Sequence, residues 1–419
     1  MGYRVDRGRL GRFARRQGRE SVTVRNLISG LGVAVTLLAG TVHAEAPRYL
    51  DPADDEAVLS ALDGDAGLLF LEGDAQIAAF RNIDALAPVR QVASGAQVRS
   101  LPEAARDFSE LRYEVNGEQH DLDHFMRHNH VGGLLLLLDG DIVFERYGLG
   151  NSRATRWVSF SVTKSVVSLL VGAAIEEGYI ASVDDPVTDY LPQLRDSAYE
   201  GVSIRNVLQM ASGTDWNEDY ADPESDVASA PSDMLDLMRF LGAKPRLAEP
   251  GAVFNYNTGE TNLAGAIVRA AVGNNLGAYL SRTIWQPWGM EDDATWMAHG
   301  PQGGEWGGCC IAPTLRDWGR LGLFLLADGV LDDGTRVLPE GWLSESMTPS
   351  AAADYYGYLW WLRSEGRYFA VGIFGQAIYV DPEARLIIAV QSAWPQATSE
   401  VFGAHRDAFF AAVAATLAD

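Results

Sequence analysis

The sequence predicts an α+β fold, an antiparallel sheet flanked by helices with a mainly helical lobe inserted between its strands. Three observations predict it. Apolar, strand-like runs gather in two distant places, residues 132–148 and 368–392. Between them apolar residues recur every three to four positions, the period of helices packed on one face. No repeat of solenoid length and no low-complexity tract interrupts the pattern.

Each element follows from local chemistry. Residues 1–44 carry eight arginines and two acids ahead of a glycine-broken apolar run that ends Val42-His43-Ala44. That order reads as an export signal cleaved after Ala44, too short and broken for a membrane span. It implies a periplasmic or secreted protein with no stable membrane anchor after cleavage. Residues 45–125 are polar and punctuated, an N-terminal extension packing on the sheet domain. In 132–148 two apolar runs flank Asp139-Gly140, a strong short-range hairpin signal. Helices are predicted from Ser161 to a stop at Gly178, and over 203–210, 231–241, 261–272 and 276–285. Asp381-Pro382-Glu383-Ala384 turns the chain between two apolar strands. A last apolar-faced helix covers 401–417. The sheet domain thus comprises 126–200 and 313–419, and the helical lobe 201–312.

Bulk numbers exclude some functions. At 47% hydrophobic and 21% charged, the 419 residues suit an ordinary globular core. A net charge of -23 argues against nucleic acid and against a polybasic membrane surface. The only cysteines, Cys309 and Cys310, are neighbours with Cα atoms about 3.8 Å apart across a trans peptide, tight for a disulfide. Two small buried apolar residues are expected there.

The chemistry lies in "SFSVTKS", residues 159–165. Lys164 is one of two lysines, the other being Lys244, in a chain with 31 arginines. Residues three apart share a helix face, so Lys164 stands over Ser161. The first-turn N–H of Ser161 is free to meet an oxyanion, and the helix N-terminus favours an alkoxide. A desolvated lysine with a lowered pKa can take a serine proton; arginine, always charged, cannot. Ser-x-x-Lys alone is a weak pattern, and its ordinary meaning is a capping serine and a solvated lysine. No Gly-x-Ser-x-Gly elbow occurs, which counts against an α/β-hydrolase.

Further segments give the motif company. "IEEGYIASVDDPVTDYLPQL", "LQMASGTDWNEDYADPESD", "PGAVFNYNTGETNLAG", "GGCCIAPTLRDWGRLG" and "GIFGQAIYVDPEARLIIAV" follow in order. With "SFSVTKS" they resemble the serine β-lactamase and penicillin-binding superfamily. The likeness is greatest to its class C-related branch of family VIII esterases and 6-aminohexanoate-dimer hydrolases. The resemblance implies a β-lactamase/transpeptidase-like fold in which Ser161 is the acyl-forming nucleophile, Lys164 its base, and Tyr256 a proton shuttle serving the leaving group. Tyr256 suits that task if Lys164 lowers its pKa. It also implies Tyr220 as a substrate contact in the loop over the acyl pocket, and no metal or organic cofactor.

Two departures bear on the substrate. The second motif, usually Tyr-x-Asn, is Tyr256-Asn257-Thr258, in which Thr258 is read as the cap of the helix that follows. The third, usually a cation then Thr or Ser then Gly, aligns with Ala370-Val371-Gly372 and gives the Ile373 N–H as second oxyanion donor. A shifted register gives Phe374-Gly375 and the Gln376 N–H instead. Either way the cation that meets a substrate carboxylate is missing. The expectation is therefore a serine hydrolase acting through an acyl-enzyme on a small ester or linear amide. A β-lactamase or D-amino-acid peptidase is the enzymatic rival, and a non-catalytic penicillin-fold binding protein the other.

Remaining candidates read more simply. His124 and His128, with His130, have metal-like i, i+4 spacing but no third ligand pattern, and read as a polar loop. His405 reads as packing, as do Trp216 and Trp306. Gly132-Gly133 and Gly303-Gly304 lack the strand-to-helix setting of a phosphate loop.

Overall fold

The computed structural model describes residues 51–62, 67–273 and 275–418. The predicted export signal lies outside the described residues. All the described residues fall in one unit. The elements that position the site are, in chain order, helix α1 (Gly73–Arg81), strand β1 (Val89–Val92), the hairpin β2 (Arg112–Val115) and β3 (Glu118–Asp121), and helix α2 (Leu122–His128). The hairpin β4 (Val131–Leu138) and β5 (Asp141–Tyr147) leads to α3 (Val162–Glu176). Next come α4 (Ile204–Leu208), α5 (Met234–Gly242), α6 (Thr258–Val272), β6 (Ala294–Met297), β7 (Ile311–Ala312) and α7 (Leu315–Leu326). The chain closes with β8 (Trp361–Leu362), β9 (Tyr368–Val371), β10 (Ala377–Asp381), β11 (Leu386–Ser392) and α8 (Glu400–Ala418).

The main sheet is antiparallel, ordered β5-β4-β11-β10-β9-β8, so the two distant strand clusters meet where β4 pairs β11. Asp139 and Gly140 take positive φ of 52° and 93°, the primed turn that suits a tight hairpin. The C-terminal cluster holds three principal strands where the sequence suggested two, because a second turn at 372–376 separates β9 from β10.

Both faces of the sheet are covered, which is why β4 and β11 read as unbroken apolar runs. Leu135, Leu137, Ile387 and Ala389 face the core shared with α3, α6 and α7. Leu134, Leu136, Ile388 and Val390 face the other way, onto α2 and α8. Residues of the N-terminal region serve two sheets: β1 pairs β6 in the helix-rich part, and the β2–β3 hairpin packs on α8.

Helix starts follow side-chain caps. Ser203 and Asn206 form a capping box at α4, and Asp233 caps α5. At α6 the cap is Asn257, whose side chain accepts from the Glu260 N–H, and not Thr258, which is the first helical residue. Among the described residues no helix is long and apolar enough to cross a membrane.

Candidate active site

The turn before α3 is held from three sides. Phe160 sits at φ 47°, the left-handed region that a bulky residue enters only when its surroundings impose it. Its ring packs edge-on to Phe80 of α1 and Phe374 of the 372–376 turn, each 4.9 Å away centre to centre. The Val158 N–H donates to the Phe80 carbonyl, and the Ser159 N–H to the carbonyl of Ile311 in β7. Ser159 and Thr163 hydroxyls share a 2.8 Å hydrogen bond. Aromatic contacts of this kind add about 0.5–1.5 kcal/mol each beyond burial. They fix the position of Ser161, which is 7% exposed and caps α3 with no side-chain hydrogen bond to the helix. Its hydroxyl is left for another partner.

That partner is Lys164. One turn into α3 and 1% exposed, its Nζ donates to Ser161 Oγ at 3.1 Å and to the Gly308 carbonyl at 2.7 Å. Burial brings the ammonium down to about 8, against a smaller opposing pull from the Glu218 carboxylate. Gly308 presses on α6: a Cβ there would stand 2.6 Å from Thr258 Cγ2 and 2.9 Å from Thr261 Oγ1. Its N–H donates to Asn262 Oδ1 at 2.9 Å. Only a glycine brings this carbonyl so close. The neighbouring Cys309 and Cys310 are joined as a disulfide, where the sequence reading expects two unlinked residues.

Tyr256 lies in the loop ahead of α6. Its ring is stacked on Trp361 at 5.7 Å, and the Lys164 Nζ is 5.4 Å from its centre. The condition that Lys164 lower its pKa is not met. Burial and the Glu218 carboxylate push the phenol up, and a hydrogen bond with Ser161 offsets only part of that. Tyr256 is therefore a neutral hydroxyl at physiological pH, a donor and relay and not a resident phenolate.

Glu218 organises this side and was missed in the sequence, where it is one acid among several in an acidic loop. Its carboxylate accepts from the Trp216 indole, the Tyr220 hydroxyl, and the Thr258 hydroxyl and backbone N–H, the last at 3.0 Å. The signal that could have found it is "WNEDY", an acid spaced between two aromatic hydrogen-bond donors. The structure brings Tyr220 to the site, within electrostatic reach of Tyr256, but commits its hydroxyl to Glu218. Trp216 packs edge-on to Phe240, and Trp306 stacks on His299; both are packing residues.

The third side is the 372–376 turn. A Cβ on Gly372 would stand 2.6 Å from the Ser159 carbonyl oxygen, so the Gly372–Ile373 peptide lies against the nucleophile's turn. Gln376 faces inward, donating through Nε2 to the Ser392 carbonyl and accepting from the Phe374 N–H. Ala370 is buried in the core beneath α3, with no cation at that position. Among the described residues no hydrogen bond engages the Ser161 or Ile373 N–H.

The histidines need a correction. His124 and His128 are on helix α2, not in a loop, and His405 of α8 joins them together with His120 of β3. Burial and the three neighbouring imidazoles bring His405 down to about 4. This group lies on the α2–α8 side of the sheet, away from α3 and Ser161.

The chain as a whole is similar to known proteins. A family model for β-lactamases matches residues 119–412. The 6-aminohexanoate-dimer hydrolase of Paenarthrobacter ureafaciens is 29% identical over 303 residues, 66% of this chain and 76% of that protein. An esterase of Burkholderia gladioli is 30% identical over 193 residues, 41% of this chain and 48% of the esterase. Among solved structures, a candidate 6-aminohexanoate-dimer hydrolase from Bacillus anthracis aligns with a TM-score of 0.74 at 20% identity, over 82% of this chain and 95% of that one. A penicillin-binding protein from Bacillus halodurans aligns at 0.56 and 20% identity, over 71% and 100%.

Proposed function

Because the chain belongs to the β-lactamase family of serine hydrolases, we propose that it cleaves small esters or linear amides through an acyl-enzyme on Ser161. The observation that carries this reading is a lysine buried to 1% exposure, held near pKa 8 and 3.1 Å from a serine whose hydroxyl makes no capping bond to its helix. Neutral Lys164 takes the Ser161 proton as Oγ attacks the carbonyl carbon. The Ser161 and Ile373 N–H groups hold the oxyanion; the contact of Gly372 with the Ser159 carbonyl favours Ile373 over Gln376 for this role. As the tetrahedral intermediate collapses, the Tyr256 hydroxyl protonates the leaving alcohol or amine and is reprotonated by Lys164. Water then attacks the acyl carbonyl, its proton passing through Tyr256 to Lys164. Lys164 finally returns a proton to Ser161 Oγ as the acid departs. Tyr220 forms a wall of the acyl pocket, its ring held in place by Glu218.

Substrate class follows from what β9 lacks. With Ala370 where the superfamily's third motif usually carries a cation, a substrate carboxylate finds no partner there, which disfavours β-lactams and peptidoglycan peptides. The names of the Paenarthrobacter and Burkholderia relatives support linear amides and esters instead. The test is a panel of p-nitrophenyl acetate, p-nitrophenyl butyrate, the linear 6-aminohexanoate dimer and a chromogenic cephalosporin. Ester or dimer turnover is expected, with the cephalosporin hydrolysed at least about 100-fold more slowly, the cost of one missing charge pair. A preference for the cephalosporin would restore the β-lactamase reading, and inertness to all four would restore the binding-protein reading.

Export is part of the same proposal. The basic and then apolar order of residues 1–44 supports cleavage after Ala44 and a periplasmic or secreted enzyme. N-terminal sequencing of the protein from the extracytoplasmic fraction should begin at Glu45; a chain starting at Met1 in the cytoplasm would refute it.

A further inference from the structure

On the side of the sheet away from Ser161, four imidazoles meet with no acidic side chain among their ring partners. His120 lies in β3, paired with Tyr113 across the β2–β3 hairpin. Asp121 then caps α2, accepting from the His124 N–H at 2.7 Å, which sets His124 and His128 on one helix face. From α8, His405 reaches between them. Its ring centre lies 4.8 Å from His120, 5.4 Å from His124 and 4.2 Å from His128. The Asn129 side chain donates to the Phe402 carbonyl at 2.8 Å and ties the end of α2 to α8.

The geometry points to a divalent transition-metal site formed by His120, His124 and His405, with His128 as the fourth ligand or its substitute. One ring nitrogen from each of the first three lies within 4.8 Å of the others. Tetrahedral zinc, with Zn–N bonds of about 2.0–2.1 Å, sets its ligand nitrogens about 3.3 Å apart. The rings must therefore close by about 1.5 Å at most, a small rotation for His120 and His124, which are only half-buried.

Two further observations point to a ligand. The Nε2 atoms of His124 and His128 are buried with no hydrogen-bond partner. Buried polar atoms are nearly always paired, and a bound ion or an ordered water is the usual partner of one that has none within the protein. The other is the Tyr113 hydroxyl, 3.1 Å from His405 Nδ1. That contact is the outer support typical of a metal-bound histidine: it fixes the ring and leaves Nε2 free to coordinate. Neutral imidazoles select zinc, nickel, copper or cobalt over calcium and magnesium, which require oxygen. Glu118 and Asp121 stand close enough to His124 to offset part of the ion's charge.

The experiment is calorimetric titration of untagged, chelator-treated protein with zinc chloride at pH 7.5, followed by the visible absorption of the cobalt form. One equivalent should bind with micromolar or tighter affinity, and cobalt should give the intense bands of a four-coordinate site. His124→Ala and His405→Phe should each weaken binding on the order of 100-fold. The second variant keeps the aromatic packing, and cooperative thermal unfolding of both shows that they fold. Absence of binding by the wild type at millimolar zinc would overturn the site. So would affinity unchanged in two folded variants.

Discussion

Ser161→Ala is expected to abolish turnover of p-nitrophenyl butyrate, with kcat falling by roughly 10⁴- to 10⁶-fold, the range seen when a nucleophile is removed from a serine hydrolase. Folding should not suffer. Ser161 makes no capping hydrogen bond to α3, and the phenylalanine cluster and the Ser159 contacts hold its turn. The variant should therefore melt close to wild type, and mass spectrometry should find an acyl adduct on wild type alone. Loss of activity with an unchanged melt isolates the hydroxyl as the chemical group. If activity persists in the variant, another nucleophile does the work. Ser159 and Ser165 are the nearest serines in sequence, but each is already bonded, to Thr163 and to the Leu359 carbonyl.

How much of this site the sequence disclosed depends on how local its causes are. Ser161 and Lys164 are three residues apart on one helix, so helical geometry alone brings them together, and the structure does so. Tyr256 was found through the segment around it and not through any spacing. Its phenol shows where such reading stops: the sequence places a cation nearby, but burial and Glu218 decide the direction of the shift. Glu218 itself depends on three donor residues meeting in space, and no periodicity encodes that. Phe80 is a similar case. It lies in an N-terminal extension without a motif, yet it braces Phe160 and Phe374, the neighbours of both proposed oxyanion donors. His124 and His128 read as a loop because the helix carrying them is short, and the ring that completes the group comes from α8, far along the chain. The sheet was legible for the opposite reason. Central strands buried on both faces leave apolar runs too long to miss, and Asp139-Gly140 marks its turn explicitly.

The base gives the other large effect, and its sign can be worked out. Below about pH 8 Lys164 is mainly ammonium and cannot accept the Ser161 proton. The logarithm of kcat/KM for ester hydrolysis should thus rise by one per pH unit up to about 8 and level off above it. Lys164→Met, which keeps most of the volume, should lower kcat/KM by about 10²- to 10⁴-fold and erase that limb. Glu218→Gln is the internal control. The carboxylate raises Lys164, so its neutralisation should move the limb to lower pH while disturbing Tyr220 and Thr258. A limb that stays in place in Glu218→Gln would disconnect Lys164 from the profile. Stability supplies a second readout. The unfolded lysine titrates near its ordinary value of about 10.4, so between about pH 8 and 10.4 the unfolded chain binds more protons and wild-type stability rises with pH. At pH 7 the buried ammonium costs on the order of 3 kcal/mol, less what its hydrogen bonds to Ser161 and Gly308 return. Lys164→Met should therefore be inactive yet at least as stable as wild type at pH 7, with the advantage shrinking toward pH 10. A variant that is both inactive and strongly destabilised at pH 7 would make Lys164 a structural residue and remove the base from the mechanism.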